Sequence, residues 1–358
     1  MSVEKKRIVV AMSGGVDSSV AAYILHAQGH EVIGVSMRLW SYDPDNTHGC
    51  CTPDDLYDAR RVADQLGIPY YVFNFEQRFE DTVVKDFVEQ YRNGETPNPC
   101  VRCNTDIKFD ILLERTRELG ADYLATGHYA RLLEDQGGVF YLKQAVDAQK
   151  DQSYFLFGMN QDQLSKLMFP LGSMTKPDVR ALAEKAGILT SGKKESQEIC
   201  FVPTDYKKFV GERIDSSQIK KGHLVNQQGE VLGSHDGIHG YTIGQRKGIQ
   251  VPTKLPTYVS HINKDTGDIT VGDQNSLMKT TFVVRQLRYT KGPLEVGDTY
   301  DLKIRSRFKP AKAKIEKIGD KIILEFAQPQ KSITPGQAAV FYKDQCVVAG
   351  GWIDEVLG

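Results

Sequence analysis

The chain has 358 residues, room for two or three domains, and an ordinary globular composition of 40% hydrophobic and 25% charged residues. Its net charge of −1 excludes a chain that binds polyanions over its whole surface, so any nucleic-acid surface must be local. No apolar run approaches a membrane span, the start Met1 to Arg7 leaves no room for a signal peptide before the first strand, and six cysteines in so long a chain argue for catalysis or metal rather than a disulfide scaffold, so a cytoplasmic protein without a membrane partner is expected.

The first element is Arg7-Ile-Val-Val-Ala-Met-Ser-Gly-Gly-Val-Asp-Ser-Ser19. Ile8 to Met12 predicts a buried parallel strand, Ser13 to Asp17 a tight loop, and Ser18 to Ala27 a helix. Gly14 and Gly15 let the backbone turn sharply and approach a ligand, and the loop N–H groups at the positive end of the helix suit an anion. Ser13 and Ser18 can add hydroxyl donors, and Asp17 can hold magnesium or orient the loop. The lack of a lysine excludes the Walker loop, and the missing G-x-G-x-x-G excludes the dinucleotide fingerprint. Strands Glu31 to Met37, Tyr70 to Phe73 and Tyr123 to Ala125 then alternate with helices Asp54 to Leu66, Phe79 to Tyr91 and Lys108 to Leu119. This alternation predicts an α/β fold with a doubly wound parallel sheet, whose strand ends at Ala11 to Ser18, Met37 and Gly127 supply the ligand site. Met37 either packs on a base there or is a plain core methionine.

Between the helices lies Gly94-Glu-Thr-Pro-Asn-Pro-Cys-Val-Arg-Cys-Asn-Thr105, whose prolines are expected to delay the helix until after Cys103. Its C-x-x-C, Cys100 and Cys103, is compatible with redox chemistry, half a metal site or chance. The adjacent pair Cys50-Cys51, near His48, suits one metal poorly and is read as non-functional. Residues 131–158 read as a hairpin with a Gln136-Gly137-Gly138 turn, followed by helices Gln161 to Leu167 and Pro177 to Ala186, the second started by Thr175. Ser191 to Phe201 is polar and aperiodic and is expected to move; it ends on Cys200, whose thiolate Lys193 and Lys194 would favour.

Beyond about residue 207 helices become scarce. Short strands joined at Gln228-Gly229 and Lys264-Asp-Thr-Gly267 suggest a small central β-rich domain and then a β-barrel. The expected division is 1–206, 207–278 and 279–358. Lys303, Arg305, Arg307 and Lys309 alternate with Leu302, Ile304, Ser306 and Phe308, which at strand period two sets four cations on one face. Four like charges in register repel one another and suit a phosphate backbone better than empty solvent, with Arg285, Arg288 and Lys291 upstream.

Ser13-Gly-Gly-Val-Asp-Ser18 resembles the loop of the ATP pyrophosphatases, which split ATP between its α and β phosphates and adenylate a carbonyl oxygen. Together with Thr96-Pro-Asn-Pro-Cys-Val-Arg-Cys-Asn104, Thr126-Gly-His-Tyr129, Lys150-Asp-Gln-Ser-Tyr154, Ser196-Gln-Glu-Ile-Cys-Phe201, His239 to Gly248 and Thr334-Pro-Gly-Gln337, it is similar over the full length to the tRNA-specific 2-thiouridylases. The resemblance implies an ATP-dependent sulfurtransferase acting on the wobble uridine of tRNA. It assigns ATP, with magnesium, to Ala11, Met12, Ser13, Gly14, Gly15, Val16, Asp17, Ser18, Met37 and Gly127. It makes Cys103 the nucleophile and Cys200 the persulfide carrier, and it leaves Cys100 dispensable. Asn98, Pro99 and Cys100 match the part that touches the target base. His128, Lys150, Asp151, Gln152, Gln337 and the Arg305, Arg307, Phe308 region match tRNA contacts. It further implies a donor protein that delivers the persulfide sulfur. A monomer is expected, although the sequence does not fix the oligomeric state.

Two other readings of the same residues stay open. A synthetase that transfers nitrogen to a small molecule would use the ATP loop but need neither Cys103 nor Cys200. An iron–sulfur RNA-binding module would use Cys100, Cys103 and Cys200 as ligands and would lose activity on Cys100→Ser.

Overall fold

The structure, a computed structural model, describes residues 4–40, 52–193, 199–202, 205–249, 251 and 256–357. Cys50, Cys51, His48, Lys194 and the Ser196 to Glu198 part of the Cys200 segment lie outside these residues. The chain divides into two compact units: Met1–Val83 with Cys100–Pro203 and Asp344–Val347, and Val84–Pro99 with Thr204–Lys343 and Val348–Gly358.

The first unit is built on a parallel sheet. Strands β1 (Arg7–Ala11), β2 (Glu31–Arg38), β3 (Tyr70–Asn74) and β4 (Tyr123–Thr126) are followed by the hairpin β5 (Ala130–Glu134) and β6 (Phe140–Gln144), and by the short β7 (Leu167–Met168). Among the described residues the sheet order is β3-β2-β1-β4-β7. Ile8, Val9 and Val10 on β1 are all 0% exposed, because helices cover both faces of a central parallel strand. The chain leaves β1 for β2 on one side and returns with β4 on the other. The order therefore reverses at the carboxyl end of β1, which opens a crevice at that point. Around it lie helices α1 (Val16–Ala27), packed on the sheet, and α2 (Pro53–Leu66), started by a Thr52–Asp55 capping box.

Three expected elements differ. The helix expected from Lys108 begins at Pro99 instead and runs, with π-helical geometry across Cys103–Ile111, to Glu118. Proline is tolerated at a helix's first position, where its missing N–H had no intrahelical partner anyway, so Pro99 starts this helix rather than delaying it. The helix expected over Gln161 to Leu167 stops at Leu164, and Leu167–Met168 instead pairs with β4 as an edge strand of the sheet. The helix expected from Phe79 begins at Glu76 and passes through a π turn, Glu80–Val84, before Lys85–Arg92.

In the second unit, Phe87 of the Lys85–Arg92 helix meets Phe209 edge-on and Tyr91 stacks on Tyr206. Strands β8 (Gly222–Val225), β9 (Val231–His235), β10 (Tyr258–Ile262) and β11 (Ile269–Gly272) make a small mixed sheet in the order β10-β11-β8-β9. Then β12 (Met278–Tyr289), β13 (Thr299–Lys303), β14 (Ala311–Ile318), β15 (Ile322–Lys331), β16 (Ala338–Lys343) and β17 (Cys346–Leu357) follow in the order β12-β15-β14-β13-β16-β17. Pairing of β12 with β17 closes them into a barrel. Its interior is filled by Phe282, Leu302, Ile315, Leu324 and Phe341, all 0% exposed.

Candidate active site

The loop after β1 is held in shape by its own serines. Ser18 is buried; its hydroxyl accepts the Ser13 N–H at 3.1 Å and donates to the Gly15 carbonyl at 3.1 Å. Ser19 donates to the same carbonyl at 2.9 Å. The Ser18 hydroxyl is thus spent on the loop, while the Ser13 hydroxyl, 3.4 Å from it, sits on an exposed residue. Gly14 has a φ of +71°, and a Cβ there would sit 2.2 Å from the Asp55 carbonyl oxygen, so glycine is required on both counts. Gly15 caps α1 without any side-chain hydrogen bond, which leaves first-turn N–H groups for an anionic ligand. At the neighbouring strand end, a Cβ on Gly127 would lie 2.7 Å from the Ser18 N, so this glycine admits the first turn of α1. Met12 and Met37 are both buried, Met37 in register with Phe73.

Asp17 has a definite partner. Lys176, itself almost buried, places its Nζ 2.8 Å from both Asp17 carboxylate oxygens, and the Tyr129 hydroxyl donates to Oδ1 at 2.7 Å. This charge-assisted set fixes α1 to the segment after β4 and to the Lys176–Lys185 helix. Asp17 therefore orients the loop and does not fit a magnesium ligand. Lys193, read in sequence as a neighbour favouring the Cys200 thiolate, instead places its ammonium 2.7 Å from Asp55 and 2.6 Å from Asp58. Burial works against that charge, but the two carboxylates outweigh it and raise the Lys193 pKa.

Cys103 opens the π-helical stretch and is buried, Cys100 is exposed, and Cys200 is half-buried. Among the described residues no three His, Cys, Asp or Glu side chains are placed to hold a metal, so the geometry does not assemble Cys100, Cys103 and Cys200 into a cluster site. Asn104, next to the Cys103 thiol, donates its amide to the Phe155 carbonyl at 3.2 Å, while its Oδ1 is buried with no partner among the described residues. Phe201, beside Cys200, is buried against Phe79 and Trp40, so the segment expected to move is anchored at that residue.

His128 bonds Thr126 Oγ1 through Nδ1 at 2.7 Å and lies between Phe109 and Phe169. Burial, and then the Lys108 charge, push its imidazole well below 6.5, so it is neutral at physiological pH. Asp151 accepts the backbone N–H groups of Ala145 and Ser153, and the Gln152 side chain accepts the Tyr129 N–H at 2.9 Å. Both side chains organise this turn, beside a half-buried Lys150.

The basic stretch of the second unit is not a strand face. β13 ends at Lys303, which is buried, and residues 304–307 turn. Leu302, Lys303 and Ile304 are buried in succession, so the alternation expected of four cations on one side fails at its first member. The turn nevertheless gathers Arg305, Arg307, Phe308 and Lys309 around an open cavity of about 720 Å³ that Gln330 and Gln337 also line. Arg305 donates to the Lys331 carbonyl at 3.1 Å, and its guanidinium lies over Phe308; Arg307 is exposed. The Gln337 amide donates to the carbonyls of Thr96 and Pro97, at 3.1 and 3.2 Å, just before Asn98 and Pro99, which are buried.

Comparison with known proteins reads the whole chain. Family profiles described as a tRNA methyl transferase HUP domain, a tRNA methyl transferase PRC-barrel domain and an aminomethyltransferase beta-barrel domain match residues 6–204, 207–273 and 279–353. A tRNA-specific 2-thiouridylase MnmA of Geotalea uraniireducens is 47% identical over 99% of this chain and 96% of its own length. One of Geobacter metallireducens is 46% identical over 99% of this chain and 98% of its own. The chain belongs to the tRNA-specific 2-thiouridylase family. A solved complex of a 4-thiouridine synthetase with RNA and ATP aligns at 15% identity and a TM-score of 0.36, over 58% of this chain and 50% of that one, too weakly to add to the assignment.

The thiouridylase fold order of parallel sheet, PRC-barrel and closed barrel is the one observed. Sequence reasoning missed Lys176 and Tyr129, which hold Asp17, and the Asp55–Asp58–Lys193 group. Lys176 directly follows the Thr175 cap and reads as an ordinary first-turn residue, so no local signal marks it.

Proposed function

We propose that this protein is an ATP-dependent tRNA 2-thiouridylase, acting as a monomer on the wobble uridine with sulfur supplied by a persulfide-bearing donor protein. The observation that carries this reading is the full-length match to proteins named for that activity. The uncapped first turn of α1 and the Ser13–Gly15 loop suit the phosphates of ATP.

The uridine C2 carbonyl is a poor electrophile. Attack of its oxygen on the α-phosphate of ATP expels pyrophosphate and turns that oxygen into a leaving group. The terminal sulfur of a Cys200 persulfide adds to C2 and expels AMP, leaving C2 joined through two sulfurs to Cys200. The Cys103 thiolate attacks the Cys200 sulfur. The electron pair of the broken S–S bond stays on the transferred sulfur, giving the thiocarbonyl, and Cys103 and Cys200 are left as a disulfide. A cellular dithiol reduces it before the next turnover. The target base must leave its stack for this chemistry. Asn98, Pro99 and Cys100 touch it, while Lys150, His128 and the Arg305, Arg307, Phe308 turn contact the rest of the tRNA. Asp151 and Gln152 shape the Lys150 turn.

The test is nucleoside mass spectrometry of tRNA after incubation with the protein, ATP, magnesium and a low-molecular-weight persulfide. The expected product carries sulfur in place of oxygen, with one AMP and one pyrophosphate per thiouridine. A methylated uridine, or ADP with phosphate, would overturn the proposal.

A further inference from the structure

The segment Glu95–Pro97, which leads into Asn98 and Pro99, is held by contacts from the barrel. The Thr96 N–H donates to the Pro335 carbonyl at 2.8 Å, and Gln337 closes on the Thr96 and Pro97 carbonyls. Gly336, at a φ of +88°, has no space for a Cβ, which would lie 2.8 Å from the Thr96 N and O. The Gly336 N–H and the Ile353 N–H close this turn onto β17 and Gln337 at 2.9 and 2.8 Å.

A second set of contacts lies at the barrel's closing seam. Arg285 on β12 donates through one terminal nitrogen to Asp354 and through the other to Glu95, both at 2.8 Å. Lys321 reaches the other Asp354 oxygen at 2.6 Å. Glu95 and Asp354 keep only 16% and 14% of their side-chain surface, so solvent screens this row less than an exposed pair. Burial opposes the Asp354 charge, but the Lys321 and Arg285 interactions hold its carboxyl below the usual range. The β12–β17 pairing shifts register between Arg285 and Arg288, with Gln286 at a φ of +52°. A bulge re-aims the side chains beside it, and a left-handed glutamine is a conformation the surroundings must impose. The Glu95 partner lies 190 residues away in sequence, so Arg285 joins this segment to the barrel's own Asp354 pair.

We propose that Arg285, backed by Asp354 and Lys321, is a positioning residue that clamps the base-contacting loop through Glu95. It rests on the thiouridylase reading. Both terminal nitrogens of its guanidinium are committed to carboxylates of the protein, so its effect falls on the rate with bound tRNA and not on tRNA affinity.

The test compares the parent with Arg285→Ala, Arg285→Lys, Glu95→Gln and a control, Lys312→Ala, which removes a surface pair to Asp301 elsewhere on the barrel. Single-turnover thiolation at saturating tRNA is expected to slow about 10- to 100-fold in Arg285→Ala, the scale of a displaced reacting group, with part of the rate restored in Arg285→Lys. Glu95→Gln, which leaves the barrel's own pairs intact, slows it in the same direction, and Lys312→Ala matches the parent. Filter-binding affinity for tRNA stays within about two-fold throughout, because no phosphate contact is removed. Amide exchange across residues 94–99 rises in Arg285→Ala without a matching rise in the β13–β16 core. Weakened tRNA binding at an unchanged saturated rate would overturn the proposal and make Arg285 a tRNA contact. So would parental exchange at 94–99 in Arg285→Ala, or a loss confined to variants that have unfolded while Glu95→Gln behaves as the parent. If the parent makes no thiouridine, the thiouridylase reading falls, and amide exchange still decides the clamp.

Discussion

The loop after β1 and the segment before Asn98 are built in opposite ways. Ser13 to Ser19 is held largely by its own neighbours, with bonds spanning three to five residues. Glu95 to Pro97 is held by groups 190 to 241 residues away. A locally encoded loop keeps its shape wherever its strand and helix form. A loop held from a distance depends on a barrel folding correctly and can report the state of that barrel. Substitutions in the two loops should therefore fail differently.

The largest effect is expected at the local loop. Gly14→Ala forces a left-handed alanine against the Asp55 carbonyl and should abolish ATP binding measured by calorimetry. Next comes the tie that the sequence did not show. Lys176→Met leaves Asp17 with Tyr129 alone and should lower stability in urea by about 3 kcal/mol, since a largely buried charge loses its partner. In the barrel, Arg307→Ala should leave the fold intact and weaken tRNA binding evenly across sequences. The slope of log affinity against log salt should fall by about one, as expected for one lost phosphate contact.

The smallest effect is a pH dependence. His128 has its pKa lowered in the folded chain, so the unfolded chain takes up the proton first. Its contribution to stability is complete above the unfolded value, about 6.5, and is lost progressively as pH falls below it. His128→Gln should flatten, without removing, the decline in urea midpoint between about pH 7.5 and 5.5. His235, His239 and His261 are shifted in the same direction, chiefly by burial, and keep the remainder.

The same contrast explains what could be read in the sequence. β1, its glycine pair, α1 and the start of α2 are written in adjacent residues, and their positions were legible to within about two residues, although the Thr52 cap of α2 was not read. The start of a helix at Pro99 was misread because proline breaks helices in the interior but begins them well. The Leu167–Met168 strand was missed because two residues give no period, and only pairing with β4 defines it. The four cations from Lys303 to Lys309 were given a strand period, but burial of Leu302, Lys303 and Ile304 shows that the barrel core claimed the first part of the run. Gln337 was identified only through resemblance, and its bonds to Thr96 and Pro97 depend on the tertiary fold. The Asp17–Lys176 and Glu95–Arg285 pairs leave no mark in one sequence, since any of the many lysines and arginines would have served as well on paper.

The central claim, that sulfur passes through Cys200 and is released by Cys103, is tested most directly by nucleoside analysis of tRNA treated with the parent, Cys100→Ser, Cys103→Ser and Cys200→Ser under one set of conditions. The account predicts thiouridine from the parent and Cys100→Ser, and none from the other two. Thiouridine from all four proteins would contradict the cysteine roles, and loss in Cys100→Ser as well would move the chemistry to a site that needs all three thiols.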